Sequence, residues 1–247
     1  MKNRVGMPLR GIYMGRFIGR CLTFLLGVLI YIYMPEQFGV LSGMAFFKQL
    51  SVMHIIWVVW VIDMLMQLVP LRRWVPLGSQ KLFAAHFRSA ANVAEKQEDL
   101  VAYTRQQNRR AFWIAVAWGV LIAAIGVLYE KRIINEAMLL LISVAFYVCD
   151  LICVLFWCPF RVFFLRNRCC TTCRIFNWDH LMMFTPMIYL KSFYAWSLIT
   201  LALLVFLVWE MEVRRHPERF WEGTNQALKC GACTDKLCMR YSKLKRQ

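Results

Sequence analysis

Six of the ten cysteines fall in two short clusters, Cys169, Cys170 and Cys173, then Cys230, Cys233 and Cys238. Thiols two residues apart can grip one ion from a tight turn, and Gly231 relaxes the second such turn. Lys229, Lys236 and Arg240 flank that cluster and favour the thiolate, the form that binds metal. Four of these six sulfurs would close a tetrahedral zinc site or hold an iron–sulfur cluster. Three sulfurs in each cluster leave either site incomplete, so a shared site needs both clusters on one membrane face. The spacing matches neither a standard zinc finger nor the ferredoxin runs, which leaves the metal's identity open. Separate reduced thiols or disulfides are the competing reading. His180 offers a nitrogen ligand, although beside Trp178 an interfacial histidine is the plainer reading.

A second constellation is electrostatic. Asp63, Asp150 and Lys191 each interrupt an otherwise apolar run; the aspartates lie about nine to eleven residues before Arg72 and Arg161, roughly 13 to 16 Å deep if the runs are helical, and Lys191 lies ten residues after Leu181 at a similar depth. Charges that deep in hydrocarbon are expensive and face either a partner or a water-filled cavity. The three together could serve proton or ion movement; alternatively, Lys191 neutralises an aspartate and only locks helix packing. Cys149 and Cys153 share a helical face and read as small hydrophobes. The chain carries no phosphate-cradling glycine loop, haem-attachment motif, nucleophile elbow or zinc-protease helix, so no reaction is identified.

The elements that must position these residues are membrane helices. A chain that is 60% hydrophobic and only 18% charged has more apolar surface than one soluble core can hide. The expected fold is an all-α integral membrane protein, a polytopic helical bundle. Four transmembrane spans are expected, near Phe17 to Met34, Ser51 to Val69, Ala111 to Tyr129 and Ala137 to Trp157. A cytosolic connecting helix over Ala84 to Arg109, rich in helix formers and free of Gly and Pro, joins the second span to the third. The fifth apolar segment, Leu181 to Trp209, is long enough for one tilted crossing and too short for two; a re-entrant hairpin broken near Lys191 to Tyr194 also fits. Residues 1–210 thus form the bundle and 211–247 a short basic Cys-rich tail. The first apolar run reads as an anchor rather than a cleaved leader.

Orientation follows from seventeen Lys and Arg in the N-terminal, Leu71 to Arg110 and Cys158 to Met183 segments, against three in the two other connections. The N-terminus is therefore expected in the cytoplasm of a bacterial-type plasma membrane or its equivalent. A tail carried across by a fifth crossing would break the same rule, so its basic residues, like a shared metal site, favour re-entry. Trp60 to Asp63 and Tyr147 to Asp150 echo one another, each followed by a proline and an arginine, as a weak internal repeat would.

The net charge of +16 is explained by topology and anionic lipid headgroups, without nucleic acid. Three functions remain. The first is a membrane-anchored metal-thiolate protein with structural zinc or an electron-transferring iron–sulfur cluster. The second is a small transporter or channel component built on Asp63, Asp150 and Lys191. The third is a non-catalytic scaffold whose basic surface docks a protein partner, anionic lipid or a second copy of the chain.

Overall fold

A computed structural model describes residues 9–71, 74–90, 96–233, 235 and 237, and among these the secondary structure is helical, with only two isolated β-bridges. Seven α-helices are described: α1 (Leu9–Tyr33), α2 (Met53–Gln67), α3 (Leu77–Gln80), α4 (Gln97–Glu130), α5 (Glu136–Leu155), α6 (Asp179–Phe184) and α7 (Phe193–Arg215). Four of them, α1, α4, α5 and α7, are long and apolar enough to cross a membrane, and α2 is a shorter apolar helix. Their outward faces carry large apolar side chains such as Leu22, Leu29, Val120 and Leu204, as a bundle built for lipid requires.

The expected separate helix over Ala84 to Arg109 is not observed. Ala84–His86 forms a short 3-10 turn, and α4 runs unbroken for 34 residues from Gln97 to Glu130. Nothing between Gln97 and Trp118 breaks a helix, so the polar stretch and the apolar one share a single axis. Their boundary is a change of composition, not of backbone.

The segment Leu181 to Trp209 folds back on itself. Helix α6 passes through Pro186 into a 3-10 turn, Thr185–Tyr189, that packs beside α4, where Trp118 Nε1 donates to Thr185 Oγ1 at 2.9 Å and Tyr189 Oη to the Ile122 carbonyl at 2.8 Å. Gly126 of α4 admits the Tyr189 ring, since any Cβ there would collide with it. The chain reverses at Leu190, and Ser192 caps the new helix by accepting the Ala195 N–H at 3.3 Å. At the reversal Phe193 N–H donates to Gly43 O at 3.0 Å, where Gly43 adopts a φ of 50° in the loop joining α1 to α2. Helix α7 then returns to the end of the bundle that α6 left, where Trp209 Nε1 donates to the Arg174 carbonyl at 2.8 Å.

The core lies between α1, α2, α5, α6 and α7, around Trp60, Leu139, Phe184, Tyr194 and Leu198. At the basic end, residues 74–90, 158–178 and 216–233 form a cap. Ser89 and Asn225 bridge, Ala90 N–H donates to Thr224 O, and Phe220 packs edge-on against Trp209. Helix α7 continues through Trp209 to Arg215, and the described residues 216–233 after it belong to this cap.

Candidate functional site

Asp63 sits four residues before the end of α2 and Asp150 five before the end of α5, so two neighbouring helices carry a carboxylate at similar depth. The cation between them is Arg20 of α1. Its Nη1 donates to Asp150 Oδ2 at 2.7 Å and its Nη2 to Asp63 Oδ2 at 3.0 Å. Nη1 also reaches the Tyr147 carbonyl at 2.7 Å, and the guanidinium lies 3.6 Å from the centroid of the Tyr147 ring. Lys191, the expected partner, is exposed at the opposite end of the bundle beside Ser192. A planar guanidinium forks between two carboxylates in a way an ammonium cannot, which suits Arg20 to this position.

The network continues into α6. His180 is 1% exposed, not interfacial, because the fold-back packs α6 against α5 and α7. Its Nε2 stands 3.6 Å from Asp63 Oδ2 and its Nδ1 3.2 Å from Asp179 Oδ1. Gln67 Nε2 lies 3.2 Å from Asp179 Oδ2 and 3.1 Å from His180 Nδ1, and Tyr147 Oη donates to Asp63 at 3.3 Å. Asp150, Arg20, Asp63, His180 and Asp179 therefore form one continuous polar chain across four helices. A water-sized cavity of about 30 Å³ opens onto it, lined by Arg16, Arg20, Asp63, Gln67, Asp150 and Asp179 among others. Asp63 and Asp150 share the Arg20 guanidinium, Asp179 pairs with His180, and Arg16 lines the same cavity, so the group carries −1 with His180 neutral and is balanced with it protonated. The imidazole, with a carboxylate at each nitrogen, can take a proton on one side and release it on the other.

The cysteine clusters are both at the basic end. Cys170–Thr172 and Cys230–Ala232 form similar 3-10 turns, closed by Cys173 N–H to Cys170 O at 2.9 Å and Cys233 N–H to Cys230 O at 3.3 Å. Both lie near α3: the first turn packs on it, while its Leu77 packs with Ala227 and Leu228 and donates its N–H to Asp235 Oδ2 at 2.6 Å. Cys169 and Cys173 are buried, Cys170 and Cys233 half-buried, and Cys230 exposed; Cys238 lies outside the described residues. Among the described residues, no three His, Cys, Asp or Glu side chains converge as metal ligands would.

Lys81, in the cap, is 1% exposed; its Nζ donates to the Cys173 carbonyl at 3.0 Å and lies 5.2 Å from the Trp209 ring and 5.4 Å from the Phe220 ring. Burial pushes this ammonium down to about 7, and burial likewise pushes the neighbouring Cys173 thiol up to about 12. Beside it, Arg174 forks onto Glu210 at 2.7 and 2.6 Å, and Trp178 Nε1 and Asn108 Oδ1 complete that cluster.

Sequence reasoning finds Asp63 and Asp150 but misses Arg20, Asp179, Gln67 and the role of His180. Arg20 lies only three residues into the expected first span, where the positive-inside rule already accounts for a cation, so the depth argument does not single it out. Asp179 and His180 precede the apolar run, and only the fold-back makes them internal. Comparison with protein-family models, with curated proteins and with solved structures finds no match.

Proposed function

We propose that the chain is a small transporter or channel component in which Asp63, His180 and Asp179 pass protons or small cations, with Arg20 as the fixed counter-charge. The observation that carries this reading is the buried His180 held between Asp63 and Asp179, in a group where three part-buried carboxylates outnumber the two guanidinium groups of Arg20 and Arg16. Packing alone would be served by one aspartate per arginine; further buried carboxylates raise the cost unless a mobile positive charge completes the set. The small polar cavity beside the network supplies a place for water to reach it. The metal-thiolate expectation draws no comparable support, since among the described residues no three His, Cys, Asp or Glu side chains are grouped closely enough to hold a metal ion.

In this reading the basic end faces the cytoplasm, where its Lys and Arg meet anionic headgroups. Residues 179–209 are then a hairpin that returns the tail to the cytoplasmic side. The test is flux into liposomes containing the purified chain and a pH-sensitive dye. Wild-type protein should dissipate a proton or monovalent cation gradient, His180→Gln and Asp179→Asn should slow it on the order of tenfold or more, and Glu98→Gln, at an exposed position, should not. Flux equal to that of empty vesicles, or unchanged flux in folded His180→Gln protein, would refute the reading.

A further inference from the structure

Half of the cysteines face one cavity. Cys149, Cys153, Cys158, Cys170 and Cys173 line a space of about 280 Å³ between α4, α5 and α6, close to the lower end of small-ligand pockets at roughly 300 Å³. Much of the remaining wall is apolar, with Trp118, Phe146, Phe160 and Met182 prominent. It forms where α4 packs on residues 160–165 and 185–189. Cys149 is exposed on the side of α5, so the cavity has a lateral mouth on a helix long and apolar enough to span.

Two of these thiols are placed to react with each other. Helix α5 ends by widening: Phe156 N–H and Trp157 N–H both bond to Ile152 O, at 2.9 and 3.0 Å, the second a π-type i→i−5 bond. That turn brings Cys158 back towards Cys153, and both side chains line the cavity. The Arg161 N–H donates to Cys158 Sγ at 3.4 Å, and Cys170 Sγ donates to the Cys153 carbonyl at 3.4 Å. The neighbouring Cys153 thiol, together with the Arg161 and Phe160 N–H groups and the Arg161 charge, outweighs burial and lowers the Cys158 thiol below its ordinary value. Five cysteine positions spent on packing alone would leave neither this contact nor an opening onto the apolar side.

We propose that Cys153 and Cys158 are a redox-active dithiol that passes two electrons to a lipid-soluble quinone seated in this cavity. The Sγ–Sγ bond forms as two S–H bonds break. The two electrons and two protons released convert the quinone's two carbonyls to hydroxyls. A quinone fits because its ring is flat and apolar and arrives from the lipid, the side on which the cavity opens. Glutathione disulfide, the abundant soluble oxidant of thiols, is charged and too large for this space. This inference does not depend on the proton relay, although Asp150 and Asp179 border both sites.

The experiment uses the full chain in lipid nanodiscs, reduced with a phosphine that is then removed, and a decyl-substituted benzoquinone as the probe. Quinone absorbance is followed, and the linked cysteines are mapped by peptide mass spectrometry after alkylation of free thiols. The expected result is stoichiometric quinone reduction together with a Cys153–Cys158 linked peptide. Cys153→Ser and Cys158→Ser should each lower quinone reduction on the order of tenfold or more, while Cys21→Ser should not. The mapping on wild-type protein needs no variant, so a variant that fails to fold does not spare the proposal. A different disulfide, arylated thiols in place of a disulfide, or equal oxidation by glutathione disulfide would each overturn it.

Discussion

Replacing Lys81 with methionine removes a buried ammonium while keeping most of its volume, and the structure sets the size and sign of the effect. A fall in the Lys81 pKa from 10.5 to about 7 corresponds to about 5 kcal/mol of cost for burying the charged form. The faces of Trp209 and Phe220 return up to ~2 kcal/mol, leaving ~3 kcal/mol. The unfolded chain holds this proton up to about 10.5, whereas the folded chain releases it above about 7. Between those values the unfolded state binds more protons, so wild-type stability rises with pH across this window; below about 7 both states are protonated and the full cost applies. Lys81→Met loses a hydrogen bond to the Cys173 carbonyl worth about 1 kcal/mol, so at pH 7 it should still be the more stable protein by about 2 kcal/mol. The assay is thermal unfolding of detergent-solubilised protein between pH 6 and pH 10. Wild type should gain several degrees relative to the variant as pH rises, at roughly 2–4 °C per kcal/mol. A variant less stable at every pH, with an unchanged slope, would refute the reasoning.

Two further predictions concern what holds the sites in place. Gly126→Ala puts a methyl group into the Tyr189 ring and should destabilise by about 1–3 kcal/mol, whereas Gly119→Ala on the same helix meets open space and should be neutral; thermal unfolding distinguishes them. Arg174→Gln and Glu210→Gln each break a buried forked pair and should cost about 3–5 kcal/mol, and a double-mutant cycle should show the second change costing much less than the first.

Composition and hydrophobic run length are enough to read α1, α2, α5 and the apolar half of α4, because lipid-facing helices must be apolar along their whole outer surface. The same signal cannot see where a helix begins within polar sequence. That is why α4 starts at Gln97 rather than at a separate connecting helix. Leu181 to Trp209 presents the opposite difficulty. It is apolar throughout, so hydropathy cannot locate the reversal at Leu190. The marks of the reversal are local ones, Pro186 and the capping hydroxyl of Ser192.

The candidate site inherits both limits. Asp63 and Asp150 stand out because an aspartate in an apolar run has no topological use. Arg20 is a cation near the start of a run, where a topology rule already accounts for it, and so its chemistry is overlooked. Yet the physical test is the same for all three. Measured from Leu9, the first described residue of α1, Arg20 is eleven residues in, roughly 16 Å along a helix, beyond easy snorkelling to the basic end. A cation at that depth needs anionic partners, and two aspartates on the neighbouring spans are the available ones. Lys191 fails the test once the chain reverses beside it, because the reversal puts it at a helix start on the surface. Depth counted from the true ends of the elements, rather than from the ends of apolar runs, is what separates Arg20 from Lys191.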